Sequence, residues 1–138
     1  MTQHRIQLRQ IAFDAISAGL RFRRFTGLKG WSQSVDSETL PVFGVSTPRE
    51  TSNAISTTSH ARSVDLMVGV KRMADEAIEE ALDLDAEAIE ALVLPTLRAV
   101  CIHAEIAQTE IRLAGEGRAR VGMIEVTFRC MIYTDIPV

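Results

Sequence analysis

The sequence predicts an α+β domain: a mainly antiparallel four-stranded sheet with two principal helices packed on one face, in the order α-β-β-α-β-β. Two segments, near the N-terminus and at 74 to 94, place apolar residues at helical spacing. Two others, beginning at 62 and at 124, alternate apolar and polar residues as half-buried strands do. Such elements bury their apolar faces by packing helices against a sheet.

The first helix is predicted for residues 4 to 18, ending near Gly19. Its apolar residues recur at intervals that place them on one face, namely Leu8, Ile11, Ala12, Ala15, Ile16 and Leu20. The next segment, RFRRFTGLKGW at 21 to 31, interleaves basic and aromatic residues and has no clear period. We therefore assign it no secondary structure.

The next two strands are predicted to form a hairpin with a long polar loop. One strand runs from Leu40 to Ser46 and is broken by Pro48, which has no N–H to donate to a sheet. Residues 49 to 60, RETSNAISTTSH, bury too little apolar surface to become ordered alone, so this long polar hairpin loop is predicted to be mobile until assembly. The second strand begins near Arg62, and its inward residues are Val64, Leu66, Val68 and Val70.

The longest helix is predicted for 74 to 94, because Pro95 should end it. Asp85 lies on its apolar stripe, which suggests a kink or a new N-cap. The helix carries a charge of −8 and the rest of the chain +5. This distribution is typical of a solvated outer face, or else the acidic helix of one copy faces Arg21 to Lys29, Arg62, Arg118 or Arg120 of the next.

The chain is predicted to close with a second hairpin. Residues 107 to 113 alternate as a strand, AGEGR at 114 to 118 turns the chain, and a long final strand follows. One face of that strand is apolar and consists of Ile124, Val126, Phe128, Cys130 and Ile132. The other face consists of Met123, Glu125, Thr127, Arg129, Met131 and Tyr133, a mixture that suits a protein partner.

The composition indicates one ordinary globular domain. The chain has 138 residues and a formal net charge of −3, and neither number requires a nucleic-acid or membrane partner. The N-terminus does not resemble a secretion signal, and no apolar run is long enough to span a membrane. Cys101 and Cys130 are predicted to be reduced core thiols.

The sequence contains no convincing catalytic, cofactor or metal signature, so we predict a protein that is not an enzyme. Cys101 and His103 would share a face of a strand, but a zinc site needs further ligands at a recognisable spacing. Asp83 and Asp85 point in different directions on a helix. The turn at 114 to 118 lacks the following helix that a phosphate-binding loop requires.

Four segments together resemble the bacteriophage tail terminator proteins, also called the lambda-like minor tail protein U family or tail completion proteins. They are RQIAFDAISAGL, LPVFGVSTPRE, RSVDLMVGVKRMADEAIEEALDLDAEAIEALV and TEIRLAGEGRARVGMIEVTFRCMIYT. They occur in the family's order and cover nearly the whole chain as a single domain, 1 to 138. The basic and aromatic segment at 21 to 31 departs from the family pattern.

The resemblance implies a structural role in a phage, a prophage or a gene transfer agent. A tail terminator caps the tail tube as a homo-hexameric ring, ends its polymerisation, and offers a docking surface to the head completion or connector protein. The expected location is the host cytoplasm before assembly and the virion tail afterwards. Expected partners are further copies of the chain, the tail tube protein and the connector, with no membrane and no sequence-specific nucleic acid.

Contacts with neighbouring subunits are expected at the polar loop, the outer sheet faces and the basic segment. The candidate interaction residues are Arg49, Glu50, Thr51, Ser52, Asn53, Arg21, Arg23, Arg24, Glu125, Arg129, Met131 and Tyr133. One alternative is a non-viral α+β module that binds a protein or ligand as a homo-oligomer. Another is a nucleic-acid binder that uses the basic and aromatic residues at 21 to 31.

Overall fold

The computed structural model describes residues 3 to 31, 40 to 115 and 120 to 135. Its helices are α1 (His4–Ser17) and α2 (Ile78–Val100), with a single 3₁₀ turn at Leu20–Phe22. Its strands are β1 (Thr26–Leu28), β2 (Val42–Ala54), β3 (Ser59–Met73), β4 (His103–Ala114) and β5 (Val121–Asp135). None of the helices in this described part of the chain is long and apolar enough to cross a membrane.

The predicted α+β class is confirmed, but the sheet is mixed and has five strands in the order β1-β2-β3-β5-β4. β1 runs parallel to β2, and the other neighbours are antiparallel. The prediction of four strands missed β1, because three residues are too few to show an alternating pattern. β1 and β4 form the two edges of the sheet.

Both helices pack on one face of the sheet, where the even-numbered residues of β3 and β5 form the core. Phe13 of α1 contacts Phe43 of β2, with ring centroids 5.1 Å apart. Ile78 of α2 lies so close to β5 that a Cβ on Gly122 would come within 2.5 Å of it. The predicted inward residues of β3 and most of those of β5 are fully buried, namely Val64, Leu66, Val68, Val70, Ile124, Val126, Phe128 and Cys130. Each large apolar side chain buried this way contributes about 1.5–3 kcal/mol.

The first helix follows its prediction closely, since α1 ends one residue before the predicted end. The Gln3 side chain caps it by accepting hydrogen bonds from the backbone N–H groups of Arg5 and Ile6. Leu8, Ala12 and Ile16 form its buried face. α1 is therefore held mainly by its apolar contact with the sheet and α2.

The prediction of a long polar loop at residues 49 to 60 is wrong. β2 continues to Ala54 and pairs with β3 from Arg49↔Asp65 to Ala54↔His60, so only a tight turn remains between the strands. Pro48 lies in a bulge between Ser46 and Arg49, where the register shifts and the missing N–H is tolerated. β3 is also paired with β5 along its whole length, so backbone hydrogen bonds order residues that bury little apolar surface.

The predicted end of the long helix at Pro95 is also wrong, because α2 continues to Val100. Pro95 is exposed, Thr96 Oγ1 donates a hydrogen bond to the Val93 carbonyl at 2.6 Å, and Leu97 in the next turn is fully buried. This burial holds the last turns in place despite the lost backbone hydrogen bond. Asp85 is not an N-cap, since it lies inside one continuous helix.

The second predicted hairpin is present as β4 and β5. A bulge interrupts their pairing between Ile106 and Gln108. The residues at 116 to 119, which include most of the predicted AGEGR turn, lie outside the described residues. Gly115, which precedes them, has a positive φ of 85°, a conformation that favours glycine.

Candidate functional site

The face of the sheet that points away from the helices is the main candidate for protein contacts. We call it the outer face. Arg49 of β2, Asp65 of β3, Arg129 of β5 and Glu105 of β4 lie side by side across it, so their charges alternate from strand to strand. Such opposite-charge pairs on neighbouring strands stabilise a sheet modestly.

Trp31 covers one half of the outer face. Its ring lies on two facing glycines, because a Cβ on Gly44 would come within 2.7 Å of the ring and a Cβ on Gly69 would come closer still. The Lys71 ammonium group lies 5.1 Å from the ring centroid, within the range of a cation–π contact. Trp31, the last residue of the aromatic segment at 21 to 31, thus covers this part of the sheet.

Lys71 is buried beneath this cover. Burial lowers the pKa of its ammonium group, and the negative charge of Glu125 offsets part of that effect. Glu125, one of the predicted interaction residues, is only 11% exposed in its side chain and also lies 3.9 Å from Arg112. It therefore contributes to the electrostatics inside the covered half more than to an accessible surface.

The other half of the outer face is open and contains most of the predicted interaction residues that remain accessible. Tyr133 is 60% exposed and Met131 is 38% exposed, although both side chains are large and apolar in part. Next to them lies a shallow depression of about 210 Å³, lined by Arg49, Thr51, Ser63, Asp65 and Arg129. We call this open half the outer patch; it consists of Arg49, Thr51, Ser63, Asp65, Arg129, Met131 and Tyr133.

Glu50 and Ser52, which were predicted as interaction residues, belong instead to a polar cluster on the helix side of the sheet. The Glu50 carboxylate accepts hydrogen bonds from His4 of α1 and from Arg62 of β3, the latter at 3.1 Å. Arg62 also donates to Thr134 and to Ser52. Burial alone would raise the pKa of Glu50, but the hydrogen bonds and charge of His4 and the bond from Arg62 outweigh it and lower that pKa.

Arg21 was predicted to contact a partner, but it is engaged inside the fold. Arg21 Nε and Arg72 Nε donate to the two carboxylate oxygens of Asp85, at 2.7 and 2.5 Å. Asp85 is fully buried in α2, so the two guanidinium groups compensate a charge that could not otherwise remain in the core. Arg72 also lies over Phe25, 4.8 Å from the ring centroid. Arg21 is therefore already bound to the acidic helix of its own copy.

The remaining predicted residues are on the surface but not all in one place. Arg23 and Arg24 are exposed between the 3₁₀ turn and β1, away from the outer patch. Asn53 lies near the tip of the β2–β3 hairpin, opposite Ala61, which in turn lies beside Tyr133. The structure thus brings together Arg49, Thr51, Asn53, Arg129, Met131 and Tyr133 and separates them from Arg21, Arg23 and Arg24.

The residues considered for catalysis lie in separate pairs. Cys101 follows the end of α2 and contacts Cys130 of β5, while His103 is exposed and lies 3.6 Å from Glu105. The hydrogen bond between the thiols lowers the pKa of Cys101, and that bond together with burial raises the pKa of Cys130 far above its usual range. Among the described residues, no three His, Cys, Asp or Glu side chains are placed to share a metal ion.

Two shallow grooves lie alongside α1. One, of about 390 Å³, is lined mainly by apolar residues that include Leu8, Ile11, Val100 and Ile132. The other, of about 260 Å³, lies between α1 and the start of β2 and is lined by Phe13, Leu28, Val45 and neighbouring residues. The first groove is also lined by His4, Gln7 and Gln10, and the second by Arg9, Gln10 and Lys29.

Sequence reasoning missed the exposed edge of the sheet. β4 pairs with β5 on one side only, and its helix-side residues Ile106, Ile111 and Leu113 are 40%, 41% and 44% exposed. The alternation at 107 to 113 predicts a strand, but it does not indicate that this strand lies at the end of the sheet, and the bulge that places Ile106 on the same face has no sequence signal. The accessible apolar edge became apparent only with the position of β4 at the end of the sheet.

No protein family model matches the sequence, and the search of curated proteins found no match.

Proposed function

We propose that the chain is a structural subunit that caps the tail tube of a phage, prophage-derived or gene-transfer particle and ends its polymerisation. The proposal starts from the four sequence segments that resemble tail terminators. The structural observation that supports it most is the outer patch, where β5 presents Met131, Tyr133 and Arg129 beside Arg49 of β2. Exposed aromatic, methionine and arginine side chains together are characteristic of protein interfaces.

In this proposal the outer patch contacts the subunits at the end of the tube. β2, β3 and β5 continue as one paired platform to Ala54, His60 and Thr134, which gives the patch a rigid backbone. A rigid surface loses little conformational entropy on binding, whereas a mobile loop would have to be ordered first. Six copies related by rotation would form a closed ring through heterologous contacts, and the ring surface away from the tube would receive the connector.

The proposal assigns the chain no catalytic step, cofactor, membrane contact or sequence-specific nucleic-acid contact. The chain would accumulate in the host cytoplasm and end in the virion tail. The nucleic-acid alternative receives less support, because Phe22 is buried, Trp31 lies on the sheet, and Arg21 binds Asp85. Stacking on bases needs accessible aromatic faces, and these aromatic side chains serve the fold instead.

Cosedimentation with purified tail tubes of the same particle tests the assignment of the outer patch. We expect the unmodified chain to pellet with tubes and Tyr133→Glu to bind at least about tenfold more weakly, because it places a charge in a desolvated contact. Glu79→Gln, at an exposed position of α2, serves as the control and should bind normally. Equal binding of Tyr133→Glu and the unmodified chain, with both folded by circular dichroism, would exclude the outer patch as the tube contact.

A homo-oligomeric binding module is the second candidate, favoured by the exposed aliphatic side chains on the β4 edge. Such a module would self-associate without binding tubes. The same cosedimentation experiment separates the two, since only a tail terminator should pellet with tubes.

A further inference from the structure

The edge strand β4 exposes aliphatic side chains outside the outer patch. β4 ends the strand order, and no strand in the described part of the chain pairs with it on the side away from β5. Its helix-side residues Ile106, Ile111 and Leu113 are exposed, as is Ile102 just before it. A long edge with exposed aliphatic side chains is a template for pairing with another strand.

The first residues of β4 show where such a pairing would begin. The Arg98 side chain of α2 donates a hydrogen bond to the Ala104 carbonyl at 3.3 Å, which occupies the start of the strand. From Glu105 onward, the described residues place no comparable side-chain donor or acceptor on the backbone of β4. The available edge therefore runs from Glu105 to Leu113.

We propose that the occupant of this edge is the β4 strand of a second copy, paired antiparallel about a two-fold axis at Thr109. The bulge between Ile106 and Gln108 gives each strand one extra residue on the same side of the axis, and this extra residue decides which side chains face each other. Thr109 lies opposite its own copy, Ile111 opposite the other Ile106, and Arg112 opposite the other Glu105. In this register each cross-strand pair joins either two outer-face residues or two helix-side residues.

The charges on β4 favour this register over the two registers shifted by two residues. Glu105 and Arg112 have half-exposed side chains on the outer face, so the symmetric pairing brings opposite charges together twice. Shifting one strand by two residues would place Glu110 opposite its own copy, and the opposite shift would place Glu110 opposite Glu105. Like charges directly opposite each other destabilise a strand pair.

Pairing β4 with the free edge of β2 fits less well. The helix-side residues near the end of β2 are Glu50, Ser52 and Ala54, which would lie against Ile106 and Ile111. Glu50 is already committed to His4 and Arg62. The end of β2 thus offers no large apolar side chain to Ile106 and Ile111, whereas the β4 strand of another copy does.

This two-fold contact is isologous and therefore differs from the heterologous contacts that would close a ring. It goes beyond the proposed function, because it requires no tube and uses no residue of the outer patch. It makes the free chain a dimer in which two sheets join into one. The outer patches of both copies stay accessible on that joined sheet.

Charge reversal combined with sedimentation equilibrium tests the pairing. We expect the unmodified chain to be a dimer, and Glu105→Arg and Arg112→Glu each to raise the dimer dissociation constant by about tenfold or more, because each places like charges opposite each other twice. The doubly reversed chain should dimerise again. A mixture of the two single variants should form a heterodimer, since the two basic side chains of one variant then face the two acidic side chains of the other.

Glu87→Arg, a comparable reversal at an exposed position of α2, is the matched control and should dimerise like the unmodified chain. Amide exchange of residues 105 to 112 should slow with rising protein concentration in the unmodified chain and in this control, but not in the single reversals. A monomer at all concentrations, or an oligomer unaffected by either reversal, would overturn the proposal. So would a mixture of the single variants that stays monomeric.

Discussion

Asp85 has a fully buried carboxylate, which Arg21 and Arg72 bind. Asp85→Asn removes the charge and leaves two guanidinium groups without a counterion at the core. We expect the free energy of unfolding to fall by about 3 kcal/mol, toward the lower end for broken buried pairs because both arginines remain partly accessible. Urea denaturation measures the change.

Asp83→Asn is the control for this substitution, since Asp83 is exposed two residues away on the same helix. Its effect should stay within about 0.5 kcal/mol. Equal stabilities for Asp85→Asn and Asp83→Asn would show that the bridge through Asp85 contributes nothing to the fold.

Trp31 reports directly on the cover of the outer face, because it is the only tryptophan in the sequence. Gly69→Ala would place a methyl group well inside the contact distance of its ring, so the ring must move away from the sheet. We expect its fluorescence emission to shift to longer wavelength and stability to fall by about 1–3 kcal/mol, as for overpacked sites. Gly30→Ala, which meets no atom within 4 Å, should leave the spectrum unchanged.

Glu50 should make stability depend on acid pH. Its pKa is lower in the folded chain than the ordinary value of 4.5, so its hydrogen bonds with His4 and Arg62 stabilise the fold above that pH. This stabilisation is lost as the pH falls through the lower folded pKa. We expect Glu50→Gln to be about 1 kcal/mol less stable than the unmodified chain at neutral pH, with the difference vanishing in acid.

Denaturation curves measured at several pH values check this expectation, with Glu87→Gln as a control at an exposed position. A stability difference for Glu50→Gln that stays constant into acid would show that the carboxylate charge is not what His4 and Arg62 stabilise.

At the level of secondary structure, the β2–β3 hairpin predicts slow amide exchange where a mobile loop would exchange rapidly. Residues 49 to 54 are paired with β3, which is itself paired with β5, so their backbone amides are held between ordered strands. We expect those amides that point toward β3 to exchange slowly with solvent in the free chain, at rates close to those of the rest of β2. Exchange as fast as that of an unfolded peptide would restore the mobile loop.

The sequence predicted the elements whose side chains repeat and missed those held by backbone pairing. Val64 to Val70 and Ile124 to Cys130 showed their burial through alternation, and α1 showed it through helical spacing. Residues 49 to 54 are mostly polar because both faces of the strand are largely exposed there. The sequence therefore shows no apolar period that would indicate a strand. Pro95 suggested the end of the helix, but the burial of Leu97 in the next turn stabilises the helix beyond the proline.

The candidate site was predictable only where one strand contains it. Met131, Tyr133 and Arg129 alternate along β5, and their common face could be read from the sequence. The charge row from Arg49 to Glu105 crosses four strands, and its alignment depends on two bulges that no local pattern indicates. The bond between Arg21 and Asp85 could not be read from the sequence, because the two residues are 64 positions apart in the chain.

At the scale of the whole molecule, the two sides of the sheet differ in what they offer a partner. The helix side contains the core and the acidic surface of α2, with Glu79, Glu80, Asp83 and Glu87 exposed. The outer face offers the outer patch, and the β4 edge offers exposed aliphatic side chains. A subunit that must bind a tube on one side and refuse another tube subunit on the other needs two such unlike surfaces.

The most direct test of the central claim, that the chain acts by capping a tube through protein contacts, is electron microscopy of tail tubes assembled with and without it. If this claim holds, a ring lies at one end of each tube, and tubes stop elongating once the chain is added. Bare tube ends and unchanged tube lengths, with folded protein present in excess, would contradict it.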